Sequence, residues 1–154
     1  MRRSDRARDR SFAFDVIDRC GHGVAALSTG GEGPYCIPLS LVRVGDDLFF
    51  HCALEGRKLL RRDPRVCVTF VAADQPAYLP ESNMYTTFFQ SAVVTGTAFE
   101  VTDPGQKTAA LRALCEKMTP GHMEGFEEAV RRSLPSTAVW GIHMEEVTGK
   151  EKAR

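Results

Sequence analysis

The sequence predicts an α+β protein, a small antiparallel β-barrel with helices added around it. Short stretches of alternating apolar and polar residues, separated by turns rich in glycine, proline and aspartate, are typical of antiparallel strands. Other segments carry helix-start residues or apolar residues at helical spacing. Because chains made mostly of short strands avoid exposed sheet edges by closing the sheet, a barrel is the arrangement that we expect.

The composition is that of one globular domain. The chain has 154 residues, of which 43% are hydrophobic and 26% charged. Its 20 basic and 20 acidic residues cancel, which argues against a general nucleic-acid binder. The five cysteines form no CxxC pair and we find no signal-peptide pattern, so we expect a cytoplasmic protein without a metal site. We also expect no membrane-spanning segment, because no apolar stretch is long enough.

The first part of the chain is predicted to form a basic arm, a helix and several strands. Residues 1–10 carry five arginines and two aspartates, and this arm is either solvated or packed against a partner chain. Ser11 is the expected N-cap of a short helix that ends near Cys20. Pro38 cannot donate a hydrogen bond to a neighbouring strand and predicts an edge or a bulge, and Gly96 predicts a second bulge. The six predicted strands are 24–28, 35–44, 48–52, 66–71, 88–101 and 137–144.

The predicted helices and one long loop lie between these strands. A short helix over 54–62 ends at an Asp-Pro pair, and a second Asp-Pro pair begins a helix that runs from Pro104 to about Lys117. Residues 73–84 contain two prolines and an asparagine and are expected to form a loop. A methionine and aromatic stripe over 123–130 has helical spacing, and we interpret it as core contact.

Basic residues cluster where the strand over 48–52 gives way to a helix. Between residues 55 and 65 five basic side chains stand against two acidic ones. Arg57 and Lys58 fall in the first turn of the predicted helix, where backbone N–H groups attract anions and the two cations add charge-assisted bonds to a phosphate. Cations in a first turn oppose the helix dipole, and a bound anion would offset that cost. The alternative is a solvated basic face.

His51 lies inside an apolar strand, on the same face as Phe49 and Ala53. It is either a hydrogen-bonded core residue or a functional group. The other histidines belong to different elements without metal-ligand spacing, and we interpret His122 as a surface residue. The sequence contains no nucleophile–base motif, no phosphate-binding P-loop and no GxGxxG pattern.

A set of segments in fixed order carries a family resemblance. They are Met1–Arg6, Cys20–Val24 with Leu27–Thr29, Ile37–Leu41, Phe50–Ala53 with Gly56–Leu59, Asp63–Val66, Tyr85, Ser91–Gly96 and Val147–Lys150. In this order, over nearly the whole chain, they resemble the flavin-binding split-barrel superfamily that includes pyridoxamine 5′-phosphate oxidase. Within that superfamily the chain is most similar to the Nim-type nitroimidazole-resistance branch.

The resemblance implies a single flavin-binding domain over residues 1–154, a six-stranded antiparallel split β-barrel with flanking helices. It further implies a homodimer that holds FMN at its interface, with each site built from both chains. Arg57 and Lys58 fall where the family holds the FMN phosphate, and Ser91 falls on a strand that touches the cofactor. Trp140 contacts the flavin or the other subunit, or belongs to the core. The residues that border the isoalloxazine ring by this resemblance are Leu39, Ser40, His51, Cys52 and Ala53.

The implied activity differs from that of the enzyme for which the superfamily is named. No basic residue lies between Ile37 and Val42 and no arginine–histidine clamp is found near the C-terminus, so oxidation of vitamin B6 is not expected. We expect an FMN-dependent reductase of small nitroaromatic or quinone-like acceptors, with NAD(P)H as donor and His51 as a hydrogen-bond donor to flavin or a proton donor to the acceptor. One alternative is a non-catalytic flavin- or haem-binding protein for storage or sensing, and another is a deazaflavin-dependent reductase.

Overall fold

The computed structural model describes residues 3–29, 33, 35–54 and 59–154. Within these residues one antiparallel sheet contains eight strands. The strands are β1 (Ala7–Arg8), β2 (Gly23–Leu27), β3 (Tyr35–Leu39), β4 (Val42–Val44), β5 (Asp47–Ala53), β6 (Arg65–Leu79), β7 (Met84–Val101) and β8 (Thr137–Lys152). The helices are α1 (Arg10–Arg19), α2 (Leu59–Arg62), α3 (Pro104–Met118) and α4 (Phe126–Ser133). Short 3₁₀ turns span Ser4–Arg6, Pro80–Ser82, Pro120–His122 and Leu134–Ser136.

The sheet is curled so that its two edges approach each other. The strand order is β3-β2-β6-β7-β8-β5-β4, with β1 beside β8. β3 and β4 lie at opposite ends of this order, but only Ser40 and Leu41 separate them in the chain. Because consecutive Cα atoms are about 3.8 Å apart, this link holds the two edges within about 11 Å of each other. Among the described residues no backbone pairing joins β3 to β4, so the barrel stays open there.

The predicted α+β class is confirmed, but the number of strands is eight rather than six in the described part of the chain. The expected strand over 35–44 is broken at Ser40 and Leu41, because the chain crosses there from one sheet edge to the other. β1 has only two residues, too few to show an alternating pattern. Pro38 lies on the edge strand β3, as predicted.

The long hairpin of β6 and β7 contradicts the expected loop over 73–84. The two strands stay paired out to Leu79 and Met84, and the rings of Tyr78 and Tyr85 lie 4.7 Å apart across the pair. Pro76 is compatible with pairing because the outer part of β6 has no second neighbour among the described strands. The outer part of this hairpin, which we call the outer hairpin, therefore extends beyond the rest of the sheet as a two-stranded arm.

The helix ends agree with the predictions in part. Asp103 caps α3 by accepting a hydrogen bond from the Gln106 N–H at 2.8 Å, as its position in an Asp-Pro pair predicts. The expected N-cap of α1 was wrong, because Asp9 rather than Ser11 accepts from the Phe12 N–H, at 2.8 Å. α2 ends before the Asp-Pro pair at 63–64, as predicted. Leu54, where the helix was expected to begin, lies in a turn after β5 instead, and residues 55–58 lie outside the described residues.

Two apolar cores lie on the two faces of the curled sheet. Ile17 of α1 packs inside the curl with Phe70 and Ile142. The opposite face of β4, β5 and β8 is covered by α3 and α4, whose Leu114 and Phe126 are buried, so the interpretation of 123–130 as core contact is confirmed. No helix of the described residues is long and apolar enough to cross a membrane.

Gly96 accompanies an irregularity in the pairing of β7 with β8, close to the predicted bulge. Thr95 pairs with Glu146 and Gly96 with Met144, so the extra residue is Glu145 on β8. A Cβ atom at position 96 would overlap the carbonyl oxygen of His143. The glycine is therefore required by the close approach of the neighbouring backbone.

Candidate functional site

A pocket of about 650 Å³ lies between one face of β5 and the α3–α4 pair. Its apolar wall includes the buried side chains of Leu111, Leu114 and Phe126. Its polar side includes Ser40 and His51. We call this the outer pocket; its remaining lining residues are Cys115, Met118, Thr119, His122, Gly125, Ala129, Val130, Ser133 and Thr137.

The alternation of β5 directs His51 into the outer pocket. Phe50 is buried inside the curl, whereas His51 is exposed on the opposite face. His51 lies opposite Val139 of β8, which is buried in the core beneath α3 and α4. The imidazole makes no side-chain hydrogen bond to another described residue, so of the two interpretations the hydrogen-bonded core residue is not supported.

His122 is exposed, as the sequence interpretation of a surface residue predicts, and it also lines the outer pocket. The 3₁₀ turn over Pro120–His122 lies between α3 and α4 and brings this imidazole to the pocket wall. Its position depends on how two helices pack, which local sequence does not reveal. The short Pro-Gly-His turn directly before the buried Phe126 is the signal that could have indicated it.

Three other predicted cofactor residues face the inside of the curled sheet. Leu39, Cys52 and Trp140 line an apolar cavity of about 170 Å³. Trp140 is 8% exposed and belongs to the inner core, which is the core alternative that the sequence left open. Because neighbouring residues of a strand face opposite sides, Cys52 is separated from His51. Leu39 is separated from Ser40, which lies in the link after β3 and lines the outer pocket.

Ser91 lies in a different part of the sheet. It pairs with Val71 of β6 and Lys150 of β8, and such a line of paired residues across the sheet is called a row here. The row through His51 passes through Val139 of β8 and reaches β7 at Val101. At about 3.3 Å per residue, these two rows are roughly 33 Å apart along the strand. In one chain the structure does not bring Ser91 to the outer pocket.

The expected phosphate ligands, Arg57 and Lys58, lie outside the described residues. In the sequence they lie between the end of β5 and the start of α2. Their segment follows the exposed end of β5 at Ala53, another predicted cofactor residue, and leads into α2. Beyond α2, the Arg65 guanidinium hydrogen-bonds Asp63 and holds the pKa of that carboxyl well below its usual range.

Lys117 of α3 fixes the link that carries Ser40. Its Nζ donates to the carbonyl oxygen of Leu41 at 2.9 Å and to that of Ile17 at 3.2 Å. Burial lowers the pKa of this ammonium group, and the nearby Asp18 acts in the opposite direction. One side chain therefore connects α3, the last turn of α1 and the crossover between β3 and β4.

The outer pocket suits a flat ligand that is largely apolar and has a polar edge. Pockets of this size with few polar groups are typical small-molecule sites. Two imidazoles and the Ser40 hydroxyl offer hydrogen bonds and proton exchange. No acidic or basic side chain other than histidine lines it in the described residues, so a phosphate would have to be held by a neighbouring segment. No group of three or more His, Cys, Asp or Glu in the described chain is arranged to hold a metal ion.

Comparison with known proteins gives one sequence-family match and several matches of structure. The sequence model described as pyridoxamine 5′-phosphate oxidase matches residues 9–151. No curated protein gives a significant sequence match.

Three solved structures illustrate the shared fold. A protein named as a 5-nitroimidazole antibiotic resistance protein, from Bacteroides thetaiotaomicron, is 24% identical with a TM-score of 0.79, over 94% of this chain and 84% of that one. The flavocytochrome Anf3 from Azotobacter vinelandii is 23% identical with a TM-score of 0.82, over 100% and 72%. An FAD- and haem-binding protein from Mycobacterium smegmatis is 23% identical with a TM-score of 0.79, over 95% and 72%. At these identities the likeness establishes a common fold.

Proposed function

The chain belongs to the pyridoxamine 5′-phosphate oxidase family, and from this premise we propose that it is an FMN-dependent oxidoreductase. Its acceptors would be small nitroaromatic or quinone-like compounds and its donor NAD(P)H. The observation that carries the proposal is the outer pocket, where Ser40 and His51 meet directly before the segment with Arg57 and Lys58. The acceptor class is supported by the similar protein named for 5-nitroimidazole resistance.

The residues present fit a flavin. The isoalloxazine ring is planar and amphipathic, and the outer pocket offers an apolar wall at Leu111 and Leu114 against a polar side at Ser40 and His51. Its volume of about 650 Å³ lies within the usual range of ligand pockets. The phosphate would be held by Arg57 and Lys58 through charge-assisted hydrogen bonds.

In this proposal His51 exchanges a proton with the acceptor. Bound flavin supplies the hydride chemistry, and the protein supplies binding, orientation and electrostatics. Reduction of a quinone by NAD(P)H consumes one further proton, and the His51 imidazole lines the pocket where the acceptor would lie. The buried side chains of Leu114 and Phe126 give the other side of the pocket an apolar wall.

We also propose that two chains form each site. His51 and Ser91 contact the same cofactor by family resemblance, yet their rows lie roughly 33 Å apart along the strands of one chain. A partner chain removes this conflict by bringing its own Ser91 to the pocket.

Two neighbouring rows on β3, β2, β6 and β7 carry no charged side chain; we call them the uncharged face, and they support this assembly. The row through Val24 also contains Pro38, Thr69 and Val93, and the next row contains Cys36, Ala26, Cys67 and Thr95. Val24 in these rows is 42% exposed, and Val71 in the next row is 57% exposed, so both offer apolar surface to a partner chain.

The assembly is tested by sedimentation of Val24→Lys against Val44→Lys. Val44 is 50% exposed but lies on β4, outside the uncharged face. We expect the first variant to sediment as a monomer and the second to remain a dimer. A wild-type protein that is monomeric at micromolar concentration would refute the two-chain site.

The cofactor proposal is tested by titrating FMN into the double variant Arg57→Ala/Lys58→Ala. Two charge-assisted phosphate contacts are worth roughly a hundredfold in affinity, so the Kd for FMN should rise by about that factor. The control is Arg131→Ala/Arg132→Ala, an exposed basic pair on α4. Equal FMN affinity in both double variants would contradict the proposed phosphate site.

The role of His51 is tested with His51→Gln. Loss of a proton donor typically lowers kcat by about 10²- to 10⁴-fold, while the FMN absorbance spectrum and affinity should change little. The pH profile of kcat should also lose the inflection that the imidazole contributes. If kcat and its pH profile are unchanged, His51 has no part in proton transfer.

One observation favours a second candidate, a non-catalytic haem-binding protein. Two imidazoles, His51 and His122, line the same pocket, and imidazole is a common axial ligand of haem iron. Purified protein with a Soret band, and without NAD(P)H oxidation in the presence of FMN, would support this candidate. Fluorescence on addition of a deazaflavin tests the third alternative in the same preparation.

A cytoplasmic location belongs to the same proposal. No disulfide joins the five cysteines, and Cys36 is exposed, as expected for a protein in a reducing compartment.

A further inference from the structure

A second concave surface lies at the end of the sheet where β8 stops and β7 continues without it. The last cross-strand pair is Phe89 with Lys152. Beyond this pair a pocket of about 310 Å³ opens between the outer hairpin and the end of β8. We call it the terminal pocket; the residues that matter here are Phe88, Phe89, Gln90, Glu151, Lys152 and Arg154.

Cations surround the two aromatic rings of the terminal pocket. The Lys152 ammonium lies 5.7 Å and the Arg154 guanidinium 6.0 Å from the centre of the Phe88 ring. Lys150 lies 5.4 Å from the centre of the Phe89 ring. Both rings are half-buried, so each keeps apolar surface that a ligand can cover.

The acidic group of the terminal pocket is already neutralised. One oxygen of Glu151 accepts a hydrogen bond from Arg8 at 2.8 Å, and the other accepts from Gln90 at 2.8 Å. Gln90 in turn accepts a hydrogen bond from Arg19 at 2.9 Å. These bonds lower the pKa of Glu151, which therefore stays ionised and fully paired.

The cations of the terminal pocket have no such partners. Among the described residues no carboxylate forms an ion pair with Lys150, Lys152 or Arg154. The Lys152 ammonium donates to the hydroxyl of Thr86, which is a neutral group. Of these three cations Lys152 and Arg154 line the pocket itself, beside the half-buried Phe88 ring, and their charge favours an anionic ligand there.

We propose that the terminal pocket binds the adenosine-phosphate part of a dinucleotide. The volume is close to the lower end of ligand pockets, which suits a mononucleotide-sized group. A purine has a π face that packs on phenylalanine, while its phosphates pair with lysine and arginine. An inorganic anion would use the cations but not the rings.

The position of this pocket fits the proposed flavin chemistry, on which the inference rests. Lys150 lies directly opposite Ser91 in the β7–β8 register. If Ser91 reaches the outer pocket of a partner chain, the terminal pocket lies beside that flavin site. The adenosine phosphate would then belong either to FAD or to the NAD(P)H donor.

The inference is tested by calorimetric titration of the full chain, supplied with FMN, with 5′-ADP, 2′,5′-ADP and pyrophosphate. The variants are Lys152→Gln/Arg154→Gln and Phe88→Leu, and the control is Arg131→Gln/Arg132→Gln on α4. In Lys152→Gln/Arg154→Gln we expect the Kd for 5′-ADP to rise by about tenfold or more. In Phe88→Leu we expect it to rise by about threefold to tenfold. The control should bind like the wild type.

Two further titrations identify the source of the adenosine phosphate. If it is FAD, the first variant weakens binding of FAD to flavin-free protein but leaves the affinity for FMN unchanged. If it is NADPH, 2′,5′-ADP binds the FMN-loaded wild type more tightly than 5′-ADP does.

Three results would overturn the inference: no binding of either ADP, equal affinity in the first variant and the control, or pyrophosphate bound as tightly as 5′-ADP. The first variant changes only side chains at the end of β8, so it keeps the test valid if Phe88→Leu does not fold. FMN binding is measured separately, so failure of the flavin proposal is distinguishable from failure of this one.

Discussion

Replacing Lys117 with methionine should cost the protein a substantial part of its stability. The ammonium donates hydrogen bonds to two partly buried backbone carbonyl oxygens, that of Leu41 at 2.9 Å and that of Ile17 at 3.2 Å. A carbonyl left without a partner costs about 1–3 kcal/mol. Part of this loss is offset because methionine does not have to desolvate a charge, an effect visible in the lowered pKa of Lys117. We therefore expect the free energy of unfolding to fall by about 2–4 kcal/mol.

Denaturant unfolding followed by far-ultraviolet circular dichroism measures this change. For a domain of this size the same loss lowers Tm by roughly 5–15 °C. Lys107→Met is the matched control, because Lys107 lies on the same helix and donates one long hydrogen bond, to Leu134 at 3.4 Å. The control should lose less than about 1 kcal/mol. Equal losses in the two variants, or no loss in Lys117→Met, would refute the assigned role of the ammonium.

Three further predictions address the helical layer and the last strand, β8. Leu114→Ala removes a buried side chain from between α3, α4 and the sheet. Urea unfolding should show that the free energy of unfolding falls by about 2–5 kcal/mol. A loss below about 1 kcal/mol would mean that this layer is loosely packed. Asp103→Ala removes the N-cap of α3 and should cost about 1 kcal/mol in the same assay, whereas the exposed Asp74→Ala should cost nothing measurable. The pKa of Glu151 is lowered by Gln90 and Arg8, so its stabilising effect is present above its ordinary pKa of 4.5 and is lost as pH falls below that value. Glu151→Gln should therefore flatten the fall in stability below pH 4.5, while Glu146→Gln should leave it unchanged; a wild-type slope in Glu151→Gln would contradict this.

Much of the fold could be predicted because its signals are local. The alternation along β5 separates Phe50 from His51 in the sequence as it does in the structure. The cap of α3 follows from an Asp-Pro pair. The outer hairpin was missed because Pro76 and Asn83 have loop propensity. Asn83 does lie in the turn, with a φ of 47°, whereas pairing along a free edge keeps Pro76 in β6.

The candidate site could be predicted only on one side. Ser40 and His51, both assigned to the flavin ring by the family resemblance, line one pocket. The opposite wall, with His122, depends on the packing of α3 and α4, and no local pattern encodes that packing. Strand alternation also divides the predicted set, since Cys52 faces the inner cavity while His51 faces the outer pocket.

A crystal structure of the protein grown with FMN would show whether the outer pocket is the flavin site. We expect flavin density in that pocket, with the ring beside His51 of one protomer and the partner's Ser91. The flavin phosphate should lie within hydrogen-bond distance of Arg57 and Lys58. Flavin bound elsewhere, or both cations directed into solvent away from any phosphate, would contradict the account.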